Sequence, residues 1–516
     1  VTGSGPLNSL GNIDHIIVLM LENRSFDHLV GRLYHPDNPP PYDAAPRGQP
    51  FEGLAGKDLS NPIPPRYQTA NRAAVPVGKA AAPNIPRINP GEGYAHTNTQ
   101  LYGQIIPNGN RRPPFRPPYN LPPTLPDPAP MNGFVLDYIN VIRNSRRSPT
   151  YARYKTIMDC FSPSMVPVIS TLANAYAICD QWFCSVPSQT CSNRSFALAG
   201  TSSGFVDNTP YNQWLNNDVP TIFDLIQEAN RPDLTWRVYY DPADIVPLTW
   251  AIFPGLRERL FSHFSPMGRF WRDAREGELP SFALIEPRYI FRRNDQHPPA
   301  SVTPGEHLLL DVYQAIRASP NWARTLLIIT YDEHGGCYDH VPPPRTVPPD
   351  PAKPPGQFGF RFDRLGTRIC TVLVSPYTRA GTVFRARDQD GRETPLDHTS
   401  ILKTVTTRFG LPSLTARDAA AVDLGGALTL GEPRQDTARF PLVELPPPAE
   451  VNEPLGGLGR ATVEIVAANL NVTAPAVSTV AEGLAFLRQG RAELARIINR
   501  PCGSKGKPRD TRGGAV

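Results

Sequence analysis

The sequence predicts an α/β fold: a mostly parallel central sheet with helices on both faces, interrupted by long proline-rich loop insertions. Three observations lead there. Short runs of apolar, β-branched residues recur along the chain, as in parallel strands covered on both sides. Amphipathic helical patterns lie between them, and strand–helix alternation builds a parallel sheet. Proline accounts for 61 of 516 residues and clusters at 36–46, 62–65, 113–130 and 342–355. Its missing amide and its restricted predecessor make those stretches surface loops.

The elements follow in order. Ile13 to Leu21 reads as a buried strand, as do Arg324 to Thr330 and Arg368 to Val374. Ser281 to Pro287 is a fourth. Helices are expected over Met165 to Ala177, Pro304 to Ala318 and Thr399 to Phe409, each with apolar residues at helical spacing. Residues 32–130 and about 205–280 read as insertions of irregular structure. The expected organisation is one domain over 1–445. A C-terminal part, 446–516, would hold a linker, two helical segments (about 457–470 and 476–499) and a polar tail.

Bulk composition narrows the partners. The hydrophobic fraction is 40 % and the charged fraction 19 %, which describes a folded chain. The net charge of +5 is too mild on this length to argue for nucleic acid. The longest apolar runs are too short to span a bilayer, so no transmembrane segment is expected. No leader pattern opens the chain, which starts at Val1. A secreted or periplasmic location, with the leader absent from this sequence, is the expectation; a cytoplasmic one stays open. The seven cysteines fit no zinc spacing, and their odd number leaves at least one thiol unpaired within the chain.

The chemistry gathers at strand ends. Glu22-Asn23 follows the first strand and Asp332-Glu333 follows the 324–330 strand. In an open α/β sheet, ligands bind outside the carboxyl ends of the strands. Carboxylates and an amide oxygen are hard donors for a divalent cation such as Ca²⁺, Mg²⁺, Mn²⁺ or Zn²⁺. Two adjacent carboxylates past a buried strand repel each other unless a cation lies between them. Gly335-Gly336 then allows a tight turn. Asp339-His340 is expected to orient or pair with neighbours.

Thr190 precedes a helical stretch, where free amides favour anions. Its hydroxyl becomes a nucleophile when a metal or base lowers its pKa. Arg194 would neutralise phosphate oxygens and Asn193 would donate to them. The alternative is a plain capped helix with Thr190 or Ser192 at its N-cap. Cys191 is a rival nucleophile. Among the histidines, His297 lies just past the fourth strand and His96 lies in the first insertion. Either could donate to a phosphoryl oxygen or protonate a leaving group. His398 reads as a cap for the helix that follows it.

Five motifs stand in order: Glu-Asn-Arg-Ser-Phe-Asp-His at 22–28, Thr-x-x-Asn-Arg at 190–194, Ile-Glu-Pro-Arg-Tyr at 285–289, Asn-Asp-x-His-Pro at 294–298, and Thr-Tyr-Asp-Glu-His-Gly-Gly-x-Tyr-Asp-His-Val-Pro at 330–342. With them, residues 13 to about 412 resemble the phosphoesterase family of non-specific phospholipases C and bacterial acid phosphatases, within the alkaline phosphatase superfamily. The resemblance implies that Glu22, Asn23, Asp332 and Glu333 bind one divalent metal ion, with Thr190 completing its shell as the nucleophile. It also implies that His96 and His297 face the phosphoryl group. Two positions depart from the family's usual wording: Cys191-Ser192, where many relatives have Gln-Pro, and Cys337, where an aromatic is common.

The expected activity is metal-dependent hydrolysis of phosphoric esters through a phospho-threonine intermediate. Phospholipase C action on phospholipids is the first reading, and it carries the expectation of transient contact with a membrane surface. Acid phosphatase action on a small phosphomonoester is the alternative. A catalytically inactive metal- or phosphate-binding protein is a distant third, disfavoured by retention of Thr190 with all four ligands.

Overall fold

A computed structural model describes residues 8–436, 438–441, 444 and 454–498. Its centre is an eight-stranded sheet. In chain order the strands are β1 (His15–Leu21), β2 (Ala177–Cys179), β3 (Trp236–Tyr240), β4 (Phe264–Pro266), β5 (Phe282–Ile285), β6 (Thr325–Tyr331), β7 (Thr371–Val374) and β8 (Thr382–Val383). They lie side by side as β8-β2-β7-β6-β1-β5-β3-β4. Five of the seven pairings are parallel.

The longer helices are α1 (Tyr94–Tyr102), α2 (Phe134–Asn144), α3 (Pro167–Ala175), α4 (Thr190–Ala199), α5 (Met267–Glu276), α6 (Thr303–Ala318), α7 (Thr399–Phe409), α8 (Gly457–Asn469) and α9 (Val480–Ile498). Helices α4 and α7 pack together over the sheet face that carries Val18, Met20, Phe282 and Leu284. A second group, α3, α5 and α6, packs on itself and covers the other face. Strand β1 is buried along nearly its whole length, and its continuous apolar run reflects that double cover.

Three expectations need correction. Strand β7 runs antiparallel to both β6 and β2, not parallel. A parallel return needs a crossover, and only a single 3₁₀ turn, Gln357–Gly359, interrupts the loops between β6 and β7. The run of buried residues hid this, because direction leaves no trace in burial. The segment 205–280 is not an irregular insertion: β3 and β4 join the sheet beside β5, and α5 packs against them. These strands mix aromatic, serine, proline and arginine residues and so lack the β-branched signature. His398 stands at the N-terminus of α7 without capping it by its side chain; Asp397 Oδ1 accepts from the Thr399 amide instead, at 2.9 Å.

In the C-terminal part, α8 packs against the Tyr211–Asn216 and Leu248–Ile252 turns and against α9. Leu455, Val463, Val466 and Leu487 belong to the same hydrophobic cluster as the sheet. The boundary expected at 445/446 and the polar tail beyond 498 lie outside the described residues.

Candidate active site

Register brings the two ligand pairs together. In the parallel β1–β6 ladder, Leu21 stands opposite Tyr331. Glu22 and Asp332 therefore leave the sheet side by side. Asn23 adopts a left-handed backbone, φ 47°, which asparagine tolerates better than most residues. Its amide N–H donates to Asp332 Oδ1 at 3.1 Å, and its side-chain amide donates to Glu333 Oε1. The chain can turn here because Gly335 has φ 64°, and a Cβ there would overlap the Asn23 carbonyl. Gly336, with the same φ, likewise passes against the Gly91 carbonyl. Both glycines draw the loop after β6 between Asn23 and the segment that leads into α1.

Glu22, Asn23, Asp332 and Glu333 are all 0 % exposed. Burial, then the charge of Asp332, pushes the Glu22 carboxyl well above its ordinary pKa. Burial, then Glu92 and Asp332, does the same to Glu333. Asn23 Oδ1 and Asp332 Oδ2 have no hydrogen-bond partner among the described residues. Buried oxygens left unpartnered beside crowded carboxylates are costly unless a cation meets them. The donor set is all oxygen, the chemistry that suits a hard divalent cation.

Thr190 is the first residue of α4, with Gln189, not Thr190 or Ser192, at the N-cap. Its Oγ1 lies 3.4 Å from Glu22 Oε2, within hydrogen-bond reach, and the residue is 2 % exposed. The hydroxyl thus meets the ligand cluster at the N-terminus of a ten-residue helix.

Asn193 and Arg194 do other work than the sequence suggests. The Asn193 amide donates to the carbonyls of Val186, Ser188 and Gln189 at 3.1 Å each, and its oxygen accepts from Val186 N at 2.9 Å. All its capacity goes to the loop that presents Thr190, so it does not donate to a phosphate. Arg194 is 1 % exposed; it donates to Glu22 Oε1 at 2.6 and 3.1 Å and to the Met20 carbonyl at 3.2 Å. Asp332 Oδ2 lies 3.7 Å from its Nε. The guanidinium therefore braces two carboxylates through Nε and Nη2, while its Nη1 has no hydrogen-bond partner among the described residues. Cys191 is no rival to Thr190, since burial pushes its thiol far up.

Two histidines approach through carboxylates that sequence reasoning did not single out. His297 Nε2 is 3.2 Å from Glu92 Oε1. His96 Nδ1 is 2.7 Å from Asp137 Oδ1 on α2. Burial opposes the charge on each ring. Asp137, Asp207 and Glu92 outweigh it at His96, and Glu92 outweighs it at His297, so both pKa values stand above the ordinary histidine value. Glu92 also interacts with Asn23 and Glu333, which places the His297 pair beside the ligand cluster. Asp137 Oδ2 accepts from Gln100 Nε2 at 2.9 Å, and Gln100 Oε1 lies 2.7 Å from His334 Nε2. His334 Nδ1 is 3.2 Å from Glu333 Oε2. A chain of polar contacts so runs from His96 to the ligand cluster. On the far side, His398 Nε2 donates to the Asp332 carbonyl at 2.6 Å.

A second acidic group, Asp27, Asp339 and His340, has ligand atoms close enough for a cation. Arg368 already occupies that role: its Nη2 is 3.0 Å from Asp27 Oδ1 and its Nε 2.9 Å from Asp339 Oδ1. It also donates to the carbonyls of Glu52 and Asp180. His340 N and Nδ1 donate to Asp27 Oδ2 at 2.8 and 2.6 Å, the pairing expected for Asp339-His340 with its neighbours. This is a buried ion-pair network, and a guanidinium there repels a metal. The six cysteines among the described residues are all buried and unpaired.

The family model described as the Phosphoesterase family matches residues 13–412. Non-specific phospholipase C3 of Arabidopsis thaliana is 33 % identical over 458 residues, covering 86 % of this chain and 79 % of the relative. Non-specific phospholipase C1 of the same plant is 34 % identical over 452 residues, covering 85 % and 76 %. Phospholipase C B of Mycobacterium tuberculosis (strain CDC 1551 / Oshkosh) is 26 % identical over 473 residues, covering 84 % and 80 %. Among solved structures, the lipoteichoic acid synthase LtaP from Listeria monocytogenes aligns with a TM-score of 0.31 and 10 % identity, covering 65 % of this chain and 86 % of that one. That structural likeness is too slight to carry any argument. By the family match and the identity to its relatives, the chain belongs to the Phosphoesterase family and is a phosphoric ester hydrolase.

Proposed function

We propose that this protein is a metal-dependent phospholipase C that works through a phospho-threonine intermediate. The observation that carries the reading is the position of Thr190: its hydroxyl meets Glu22 at 3.4 Å, where four buried oxygen-donor residues converge. A divalent cation held by Glu22, Asn23, Asp332 and Glu333 would lower the pKa of the Thr190 hydroxyl and neutralise a phosphoryl oxygen.

The chain's own residues supply the rest. Arg194 fixes Glu22, and Asn193 fixes the loop ahead of Thr190. Thr190 Oγ1 attacks phosphorus, and the diacylglycerol oxygen departs as the phospho-threonine forms. His96 and His297, whose charged forms Asp137 and Glu92 favour, stabilise phosphoryl oxygens and protonate the departing alkoxide. Water then cleaves the phospho-threonine, freeing the phosphorylated headgroup and restoring the hydroxyl.

The diester preference is supported by the relatives' names, three of them phospholipases C. Phosphorus NMR of the products tests it. Phosphocholine as first product from phosphatidylcholine is expected. Inorganic phosphate released from a simple monoester, with phosphatidylcholine left intact, would replace this reading with a phosphatase.

A further inference from the structure

A cleft of about 570 Å³ opens between the 62–68 loop, the segment after α1 and the outer face of α2. It is in the size range of small-molecule sites. Leu136, Ile139, Asn140 and Arg143 of α2 line it, at the i, i+3, i+4, i+7 spacing that marks one helix face. Ile63 and Ile105 complete the apolar wall. Arg66, Arg111 and Arg143 stand around it, all exposed, and none has an acidic partner among the described residues. No aspartate or glutamate lines the cleft.

Asn140 is 4 % exposed, and its Nδ2 has no hydrogen-bond partner among the described residues. A buried donor without a partner is costly, and here it lines a cleft ringed by unpaired cations. The cleft is also tied to the catalytic apparatus. Gly103, in its wall, ends the helix whose first turn carries His96, about 10 Å away along the axis. Asp137, the partner of His96, lies on α2 next to Leu136.

We infer that this cleft is a membrane-docking site for an anionic phospholipid, a reading that rests on the phospholipase activity proposed above. The lipid phosphate is met by the three guanidiniums and the Asn140 amide, and an acyl chain lies along the half-buried Ile105 and Leu136. The site takes a second lipid, distinct from the one hydrolysed, and holds the α1–α2 pair against the bilayer.

Vesicle co-sedimentation of the full chain tests this without requiring turnover. Wild type should bind phosphatidylcholine vesicles doped with phosphatidylglycerol far better than pure phosphatidylcholine, and added salt should weaken that binding. Each arginine removed should weaken it about fivefold, and the triple variant Arg66→Gln, Arg111→Gln, Arg143→Gln roughly a hundredfold. Leu136→Asp should weaken it with all three arginines in place. Thermal melting checks the fold; if the triple variant unfolds, the single Arg66→Gln exchange at an exposed position carries the test. Equal binding to both vesicle types, unchanged binding by the arginine variants, or full displacement by millimolar inorganic phosphate would overturn the site. Arginine-dependent binding by a chain that hydrolyses no phospholipid would uphold the site and sink the proposed activity; the opposite pattern would do the reverse.

Discussion

Asp137 Oδ1 lies 2.7 Å from His96 Nδ1, and Gln100 holds the same carboxylate from its other oxygen. The imidazole of α1 is thereby oriented, and its charged form favoured, by a residue from α2. Because the His96 pKa is raised, its charge is complete below the ordinary histidine value and is lost as pH climbs through the raised one. The exchange Asp137→Asn should move the alkaline limb of kcat/KM to lower pH. Nitrogen-15 NMR of labelled histidine should show the same displacement at His96. An unmoved His96 titration would remove Asp137 from this role.

Thr190→Ala should lower kcat by at least about a thousandfold, as deletion of a nucleophile does. Thr190→Ser keeps a hydroxyl and should retain measurable turnover. Quenched-flow trapping with phosphorus-32 substrate should label wild type and not the alanine variant. Near-normal turnover in Thr190→Ala would end the covalent mechanism.

A bound cation stabilises only the folded state, so chelation should lower Tm by a few degrees, with about 2.7 kcal/mol at stake when the free metal is a hundred times Kd. Asp332→Asn and Glu333→Gln should abolish stoichiometric metal in elemental analysis. Their melting should then be indifferent to chelator. A full metal complement in both variants would refute the ligand set.

Gly335→Ala should destabilise the fold by about 1–3 kcal/mol, since its φ of 64° suits glycine and an added Cβ strikes the Asn23 carbonyl. Activity should fall with it, because Asn23 is pushed from Asp332 and Glu333. Urea denaturation and turnover on the same sample check both effects.

Arg368→Met should cost about 3–5 kcal/mol, leaving Asp27 and Asp339 buried without their counter-charge. The wild-type protein should take up one equivalent of divalent metal and not two, since this cluster holds none. Calorimetry with and without metal distinguishes an ion-pair network from a second metal centre.

Glu22, Asn23, Asp332 and Glu333 were legible because they follow uninterrupted apolar strands, and the sheet edge is a strong constraint on where such residues go. Thr190 was legible for a similar reason, as the start of a helix. Glu92 and Asp137 were not. They come from a loop and from a helix outside the sheet, and only the packing of α1 against α2 and of the Gly335-Gly336 turn brings them inward. Arg194 looked like a phosphate ligand because arginine so often is one; its burial beneath Glu22 is a tertiary fact. Strand β3 was hidden by its aromatic and arginine content, and the direction of β7 by the symmetry of a buried strand.

The Asn23–Glu333 contact spans 310 residues of chain. Its two ends leave the sheet from neighbouring strands, β1 and β6, that are far apart in sequence. Until Tyr331 takes its place beside Leu21, the cluster is incomplete. The cluster is thus a product of long-range strand pairing, and a fragment lacking either strand cannot assemble it.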